Sequence, residues 1–554
     1  MDFKLNNMKT LNKIYSSCLA AMLLITANGC TKLDENLYDT ISSENFYTNK
    51  NEIISAVLRP YTHANAWGTS AGQDGWWRLA ELSADQLAWP TKGRHGEDGG
   101  KWKRLHYHTW TVDEGGINNA WSLMYWGVGL CNVPIENLEK RDAGQLGITQ
   151  QEKDAFLAEL KLFRAYHYLK LMDLFGNIPV VTVVGEPARP STMSRTEVFN
   201  FIEKEIKDNI EKAPKLSKAM LGRMSQVGGY AMLVELYLNA EAWTGTARWD
   251  DCIAAADKII SNQAGGMNGN MALDPNITDQ FKPDNDLSKE TIFSVAYEFQ
   301  RANFQPGFPS DFYHFNQQFI YGGSRNGNDG IVVVPGNFTK YVDADLRKRT
   351  WLLEGKMTRF DNGQPLIATG GNEYDGKQLE FVDNIQKNKT GSTVSNMSEG
   401  EENSGVRFNK YKLGNQVANA TTQPSNVYNN TDWNIYRLTW IYFAKAEALM
   451  RKNGGTATAE AVKLINDCKV RAFAAADWPA NQYTTATLTL DELLVERGRE
   501  FIFEGFRRDD LIRFGKFATT DWWDHKPTNA NRQLYPIPQQ QIALNPNLKQ
   551  NPGY

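Results

Sequence analysis

Two stretches of this chain concentrate aromatic rings among glycines and prolines. The first holds Trp67, Trp76, Trp77, Trp89, Trp102, Tyr107 and Trp110, set among Gly72, Gly75, Gly93, Gly96, Gly99 and Gly100. The second runs from Tyr297 to Tyr321, with Phe299, Phe304, Phe308, Phe312, Tyr313, Phe315 and Phe319 beside Pro306, Gly307 and Pro309. Tryptophan in a Gly-rich loop is not explained by helix packing, and loops run over the surface. A flat ring offers its π face to the C–H groups of a pyranose. Neighbouring carboxylates, amides and guanidinium groups then bind the hydroxyls, ideally as bidentate pairs. Asp85, Arg94, Asp98, Asn303, Gln305, Arg325 and Asn326 are available for that work. The expected ligand-binding set is Trp67, Asp85, Trp89, Arg94, Trp102, Tyr297, Phe304, Tyr321 and Arg325. Half or more of all the rings in the two stretches are expected to be packing residues. Trp110, Trp121 and at least one of the adjacent Trp76 and Trp77 read that way.

Other chemistries are weaker. His106 and His108 alternate as in a strand and could face one side for zinc. Only seven histidines occur, however, and no Cys or acidic partner stands at ligand spacing, so no metal is expected. Glu496, Glu500 and Glu504 recur every four residues within reach of Arg499, Arg507 and Arg508. With Leu493, Phe501, Phe503 and Phe506 interleaved, they read as ion pairs half-buried between helices rather than as an acid/base site. No Gly-x-Ser-x-Gly elbow, P-loop or dinucleotide fingerprint is present, and no cofactor is expected. A formal charge of −4, from 60 basic and 64 acidic residues, gives no electrostatic case for nucleic acid. Cys131, Cys252 and Cys468 are far apart and odd in number, which reads as three small buried residues rather than a disulfide framework.

The positioning elements are helical. Thr489 and Glu492 form a capping-box pattern that opens a helix at Leu490. Tyr230 to Trp243 echoes Tyr436 to Leu449, with Ala240-Glu241-Ala242 falling on Ala446-Glu447-Ala448. In the helices that follow, Ala255 and Ile259 fall on Ala461 and Ile465. Each unit is a helix, a turn and an Ala-rich second helix, the arrangement of tetratricopeptide arrays. Phe156 to Phe175 is apolar on more than one side and belongs inside such an array, with Gly176 ending it. Residues 357–431 read as long polar loops and short strands. Leu534 to Pro538 must be extended, because the residue before each proline avoids the helical region. The NPNLKQNPGY terminus should then lie back across the body.

The N-terminus reads as an address label. Lys4, Lys9 and Lys13 precede the apolar run Cys18 to Ile25, which ends at Ala27-Asn28-Gly29-Cys30. Met8 serves equally well as a start. The run is shorter than the ~20 residues of a spanning helix, and the small residues before Cys30 resemble a lipobox. A lipidated Cys30 would make this a tethered protein.

Four motifs, in order, resemble the SusD/RagB family of outer-membrane lipoproteins from Bacteroidetes. They are LKLFRAYHYLKLMDLFGNIPVV from Leu160, YRLTWIYFAKAEALMRKNGG from Tyr436, ERGREFIFEGFRRDDLIRFGKF from Glu496, and the terminal LYPIPQQQIALNPNLKQNPGY. The resemblance implies a mostly α, SusD-like fold: tetratricopeptide-type helix pairs, long aromatic-rich insertions and a few short strands. The expected organisation is a signal peptide at 1–29, a tether at 30–45, and one domain at 46–554 with insertions at about 67–110 and 270–430. It also implies cell-surface capture of oligosaccharides, with no bond made or broken, and delivery to a SusC-like TonB-dependent transporter. A RagB-type peptide-capturing lid, a helical scaffold that binds only protein, and a surface glycoside hydrolase remain the rival readings. Members of the family often carry an Asp-Trp pair in the loop after PT(K/R)G. Here PTKGRHGEDGGKW has His95-Gly96 instead, so that stacking ring is absent and the ligand can differ.

Overall fold

The Gln150–Phe175 helix is the deepest element of the structure, a computed structural model that describes residues 46–70, 74–185, 187–298, 307–321, 327–370, 374–387, 391–412 and 431–554. A complete capping box, Thr149 with Glu152, starts it, and Gly176 at φ 67 ends it. It packs between the Gly115–Glu139 and Arg195–Asn209 helices, and every residue from Leu162 to Phe175 is buried. Burial on all sides obliges its polar groups to find partners. Glu159 accepts from Arg223 at 2.6 Å, Lys170 donates to Glu235 at 2.6 Å, and Asp173 accepts from Arg508 at 2.8 Å. The His167 ring lies so close to Gly127 that a Cβ there would stand 2.1 Å from Nε2. Burial pulls this imidazole down to a pKa of about 3.

The echoed units form helix pairs. Gln226–Leu238 packs on Trp249–Ile260, and Leu438–Lys452 packs on Ala459–Lys469; Trp249–Ile260 also contacts Leu438–Lys452, so the pairs stack. Ala255, Ile259, Ala461 and Ile465 are all buried at these contacts, where small side chains let helices approach. The echo fails at one aligned pair. The first helix stops at Leu238 and Glu241 is exposed, whereas Glu447 is fully buried against Arg513 and Arg451. Cys131, Cys252 and Cys468 are free thiols, each buried on a helix.

The Glu-rich stretch is two helices, not one. Leu490–Phe501 is capped by Thr489, and Arg507–Arg513 follows after a break with Phe503 at φ 74 and Gly505 at φ 90. The three glutamates nevertheless form one buried ionic ladder. Glu496 meets Arg347 at 2.7 Å and Arg499 at 2.6 Å; Glu500 accepts from Arg347 and Arg437, both at 2.9 Å; Glu504 accepts from Arg437 at 2.7 Å and Lys410 at 2.6 Å. The expected pairing with Arg507 and Arg508 is corrected. The break turns those side chains away, toward Asp85 and Asp173.

The described residues form four two-stranded antiparallel sheets, in the insertions and at their junction with the helical array. Leu87–Ala88 pairs with Val332–Val333, Thr291–Val295 with Trp433–Arg437, Leu352–Leu353 with Arg407–Phe408, and Gly355–Lys356 with Glu380–Phe381. Met357, Leu366, Ala368, Tyr374, Leu379 and Phe381 make a small core of their own, on which Phe319 and Ile320 rest. The terminus lies across the body. Tyr535 N–H donates to Leu174 O at 2.9 Å, Asn551 to Phe175 O at 2.8 Å, and the Trp110 indole to the Tyr554 hydroxyl at 2.7 Å.

Removing the Glu500 carboxylate by Glu500→Ala leaves Arg347 and Arg437 without a shared counter-charge. The expected cost in urea unfolding is about 3–5 kcal/mol; an unchanged midpoint would show the ladder to be energetically idle. His167 makes a pH-dependent contribution. Its folded pKa lies below the unfolded value, so stability is complete above about pH 6.5 and falls as the pH drops toward 3. Relative to His167→Gln, the wild type should lose about 1.4 kcal/mol per pH unit in that window, and parallel stability curves for the two proteins would refute it.

Candidate functional site

Most of the expected ligand-binding rings point inward. Trp67, at the end of the Lys50–Gly68 helix, is 0% exposed and packs against Tyr166 and His167 at 5.6 and 5.0 Å between centroids. Tyr297 is buried, its hydroxyl donating to Asn65 and its N–H to Asp432 Oδ1 at 2.7 Å. Asp85 is bidentate with Arg507 at 2.6 and 2.9 Å; burial opposes its ionisation, but Arg507 holds its pKa below the ordinary value. These three are corrected from surface to interior. Rings of this size bury 150–250 Å² each, and a buried carboxylate must keep its cation. His106 and His108 are corrected too. Lys101–His106 is a helix rather than a strand, and the two imidazoles are buried against Asp524 at 2.7 Å and Ser83 O at 2.8 Å.

Trp89 and Trp102 form the floor of the site rather than its face. Their rings stack in parallel, 4.5 Å apart and 2° from coplanar, at 8% and 4% exposure. The Arg78 guanidinium lies 5.5 and 5.6 Å from the two rings, fixed by Asp311 at 2.7 Å and Asp74 at 3.1 Å. Burial lifts Asp311 to about 6 against the pull of Arg78. Gly96 and Gly330 close over Trp89: a Cβ on either would come within 3.0 Å of the indole. Trp102 donates its indole N–H to Asp98 at 2.5 Å, which holds the turn at 98–100.

Lys92, at the base of the same loop, is fully buried and donates to Gly330 O at 2.5 Å. Burial takes it down to about 7, with Asp329 and Glu402 drawing it up and Arg407 adding to the fall. Arg407 meets Asp329 at 2.6 Å, so one charged cluster ties residues 92, 329 and 407 together beneath the loop.

Above this floor the structure brings together a rim in which Arg94 and Tyr321 of the expected set meet His95, Phe315, Phe319 and Phe360, which were not in that set. His95 is half-buried with its ring 5.4 Å from Phe315, also half-buried. Exposed Arg94 reaches Gly370 O at 3.3 Å, and Asn316 accepts from Thr369 N–H at 2.9 Å. Phe319 is half-exposed beneath the Arg359 guanidinium at 4.9 Å, and Phe360, 49% exposed, donates its N–H to Phe319 O. Half-buried Tyr321 donates to Asn409 Oδ1 at 2.8 Å. Phe304 and Arg325, with Asn303, Gln305 and Asn326, lie outside the described residues, as does Cys30. Phe360 was missed because it stands in a polar stretch without aromatic neighbours. The aromatic spacing around Phe315 and Phe319 was the available signal for those two. The rim thus presents the exposed Phe360 ring beside Phe319, with exposed Arg94 and with Arg359, which is held by Asp361 at 2.6 Å.

Residues 239–554 match the family profile described as SusD family, and residues 33–238 match the one described as starch-binding associating with outer membrane. The starch-binding protein SusD of Bacteroides thetaiotaomicron is 26% identical over 446 residues, 74% of this chain and 74% of that protein. The SusD-like protein P2 of Formosa agariphila is 23% identical over 554 residues, 96% of this chain and 98% of that protein. Among solved structures, B. fragilis NanU superposes with a TM-score of 0.70 at 20% identity, over 93% of this chain and 99% of its own. Surface glycan-binding protein A from Bacteroides thetaiotaomicron, in complex with laminarihexaose, superposes with a TM-score of 0.69 at 19% identity, over 91% and 100%. These structures share the mostly helical architecture described above. With the profile covering more than half of its length, this chain belongs to the SusD family.

Proposed function

We propose that this protein is a glycan-binding lipoprotein of the cell surface. It is held in the outer membrane through Cys30, captures oligosaccharide on the rim formed by His95, Phe315, Phe319 and Phe360, and passes it to a SusC-like TonB-dependent transporter. Arg94 and Tyr321, at the rim, belong to the same proposed set, as do Phe304 and Arg325, which lie outside the described residues. Trp89 and Trp102 act beneath it as positioning residues. Recognition is by shape, an aromatic face against the sugar ring and guanidinium donors against its hydroxyls, with no catalytic group and no cofactor assigned.

The observation that carries this reading is the contrast between scaffold and rim. The tryptophans of the first insertion that are described are sealed inside, whereas Phe360 is exposed and Phe319, beneath Arg359, is only partly covered by the small core of the second insertion. The comparisons support the ligand class. One relative is named a starch-binding protein, and one structural neighbour was solved with laminarihexaose.

Affinity electrophoresis of the mature chain in gels containing starch or laminarin tests the rim, with a peptide panel beside it. Phe319→Ala and Phe360→Ala should each weaken retardation about two- to twelvefold, corresponding to ~0.5–1.5 kcal/mol for one aromatic contact. Unaltered retardation in both would move the glycan site elsewhere, and retention of peptides alone would replace the ligand class. Trp89→Ala should instead act on the fold, costing about 3–5 kcal/mol in urea unfolding.

A further inference from the structure

A cavity of about 270 Å³ opens where the Ala459–Lys469 helix ends against the start of the Leu490–Phe501 helix, walled on its other sides by residues near 340–345 and 473–487. Its chemistry differs from that of the aromatic rim. The carboxylates in its wall are already engaged. Glu496 is held by Arg347 through one oxygen and by Arg499 and the Tyr483 hydroxyl through the other, at 2.7, 2.6 and 2.9 Å. Glu492 accepts from Arg499 at 2.6 Å and from Tyr483 at 2.7 Å, and Asp345 is bound by Arg347 at 2.8 Å.

Lys469 is the cation left over. Its side chain is only 8% exposed, and its ammonium makes no hydrogen bond in the wall. The nearest carboxylate oxygen, on Glu496, stands 3.9 Å away, and the ammonium rests instead 3.8 Å from the centroid of Tyr483. A second ammonium, Lys340, lines the same space and donates to Asn337 at 2.8 Å. The side chain is mostly buried and its ammonium has only a long ion pair, which leaves its N–H donors available to an anion entering the cavity. Burial, together with Arg499 and Arg347, lowers the Lys469 pKa against the upward pull of Glu496 and Glu492. The rest of the lining suits a ring: Phe473 and Tyr483 are apolar walls, and the Asn481 and Gln482 amides stand at the side.

We propose that this cavity is a second ligand site, taking a small molecule of about monosaccharide size that carries an oxyanion, carboxylate or sulfate, toward Lys469. The oxyanion is the shared chemistry. An acidic sugar and a free inorganic anion are its two possible sources, and the site is independent of the aromatic rim.

Calorimetric titration of the mature chain at constant ionic strength, with glucuronate, glucose and sulfate as probes, tests it. The expected result is saturable glucuronate binding, at least about tenfold tighter than glucose, and about tenfold weaker in Lys469→Met, the effect of losing one charge-assisted hydrogen bond. Sulfate matching glucuronate assigns the site to a bare oxyanion; glucuronate binding more tightly adds the ring contacts. Lys469→Met keeps the buried stem and removes only the unpartnered charge. Should it not fold, wild-type competition decides, because sulfate must displace glucuronate from one site. Absence of saturable binding of both anions, non-competing anions, or equal affinity in wild type and Lys469→Met would overturn the proposal. Phe360→Ala, expected to weaken the rim, should leave glucuronate binding unchanged, so failure of one site is distinguishable from failure of the other.

Discussion

Everything that carries the aromatic rim hangs from one ladder of buried charge. Glu496, Glu500 and Glu504 are nearly inaccessible to water, and none can stay ionised there without a cation at hydrogen-bonding distance. Their partners come from separate parts of the chain: Arg347 and Lys410 from the second insertion, Arg437 from the strand that runs straight into the Leu438–Lys452 helix, and Arg499 from the same helix as Glu496 and Glu500. The ladder therefore does more than fill space between helices. It fixes the insertion against the helical array, and with it the small core under Phe319. Ion pairs suit this task because they are particular about geometry where apolar contacts are not, and a displaced arginine would leave a carboxylate buried and alone.

A second consequence concerns where large rings go. Several glycines of the aromatic stretches serve as beds for indoles. A Cβ on Gly75 would meet the backbone of Trp67, one on Gly96 or Gly330 would meet Trp89, and one on Gly505 would meet Trp76. Glycine beside tryptophan thus allowed backbone to press against the ring, sealing it rather than displaying it. The parallel Trp89–Trp102 stack under Arg78 is the clearest case, since each ring gains a neighbour, a cation and escape from water at once. In the two insertions the more accessible positions are left to smaller rings, Phe315, Phe319 and Phe360, and to the imidazole of His95.

The same logic separates two kinds of polar lining. At the rim, the Arg359 guanidinium lies over Phe319 and is held by Asp361. In the cavity beside Lys469, the wall holds its acids in tight pairs with arginine, and the ammonium has only a long ion pair to Glu496.

Local patterns in the sequence determined the helices and their caps. The Thr489 cap, the Gly176 stop and the paired Ala255/Ala461 and Ile259/Ile465 positions each rest on local patterns, and each appears in the structure where those patterns put it. The extended Leu534–Pro538 segment was legible for the same reason. The four family motifs carried the overall architecture. What only the tertiary structure decided was which side chains meet across long stretches of chain. Asp85 could be read as a sugar-binding acid until Arg507 arrived beside it, and Trp67, Trp89, Trp102 and Tyr297 could be read as surface rings until the glycines and Arg78 closed over them. Phe360 had no aromatic context in sequence and gained one only when its backbone N–H bonded to Phe319 O. Burial and charge pairing are properties of neighbours in space, and a linear pattern specifies those only as far as one turn of helix or one step of strand.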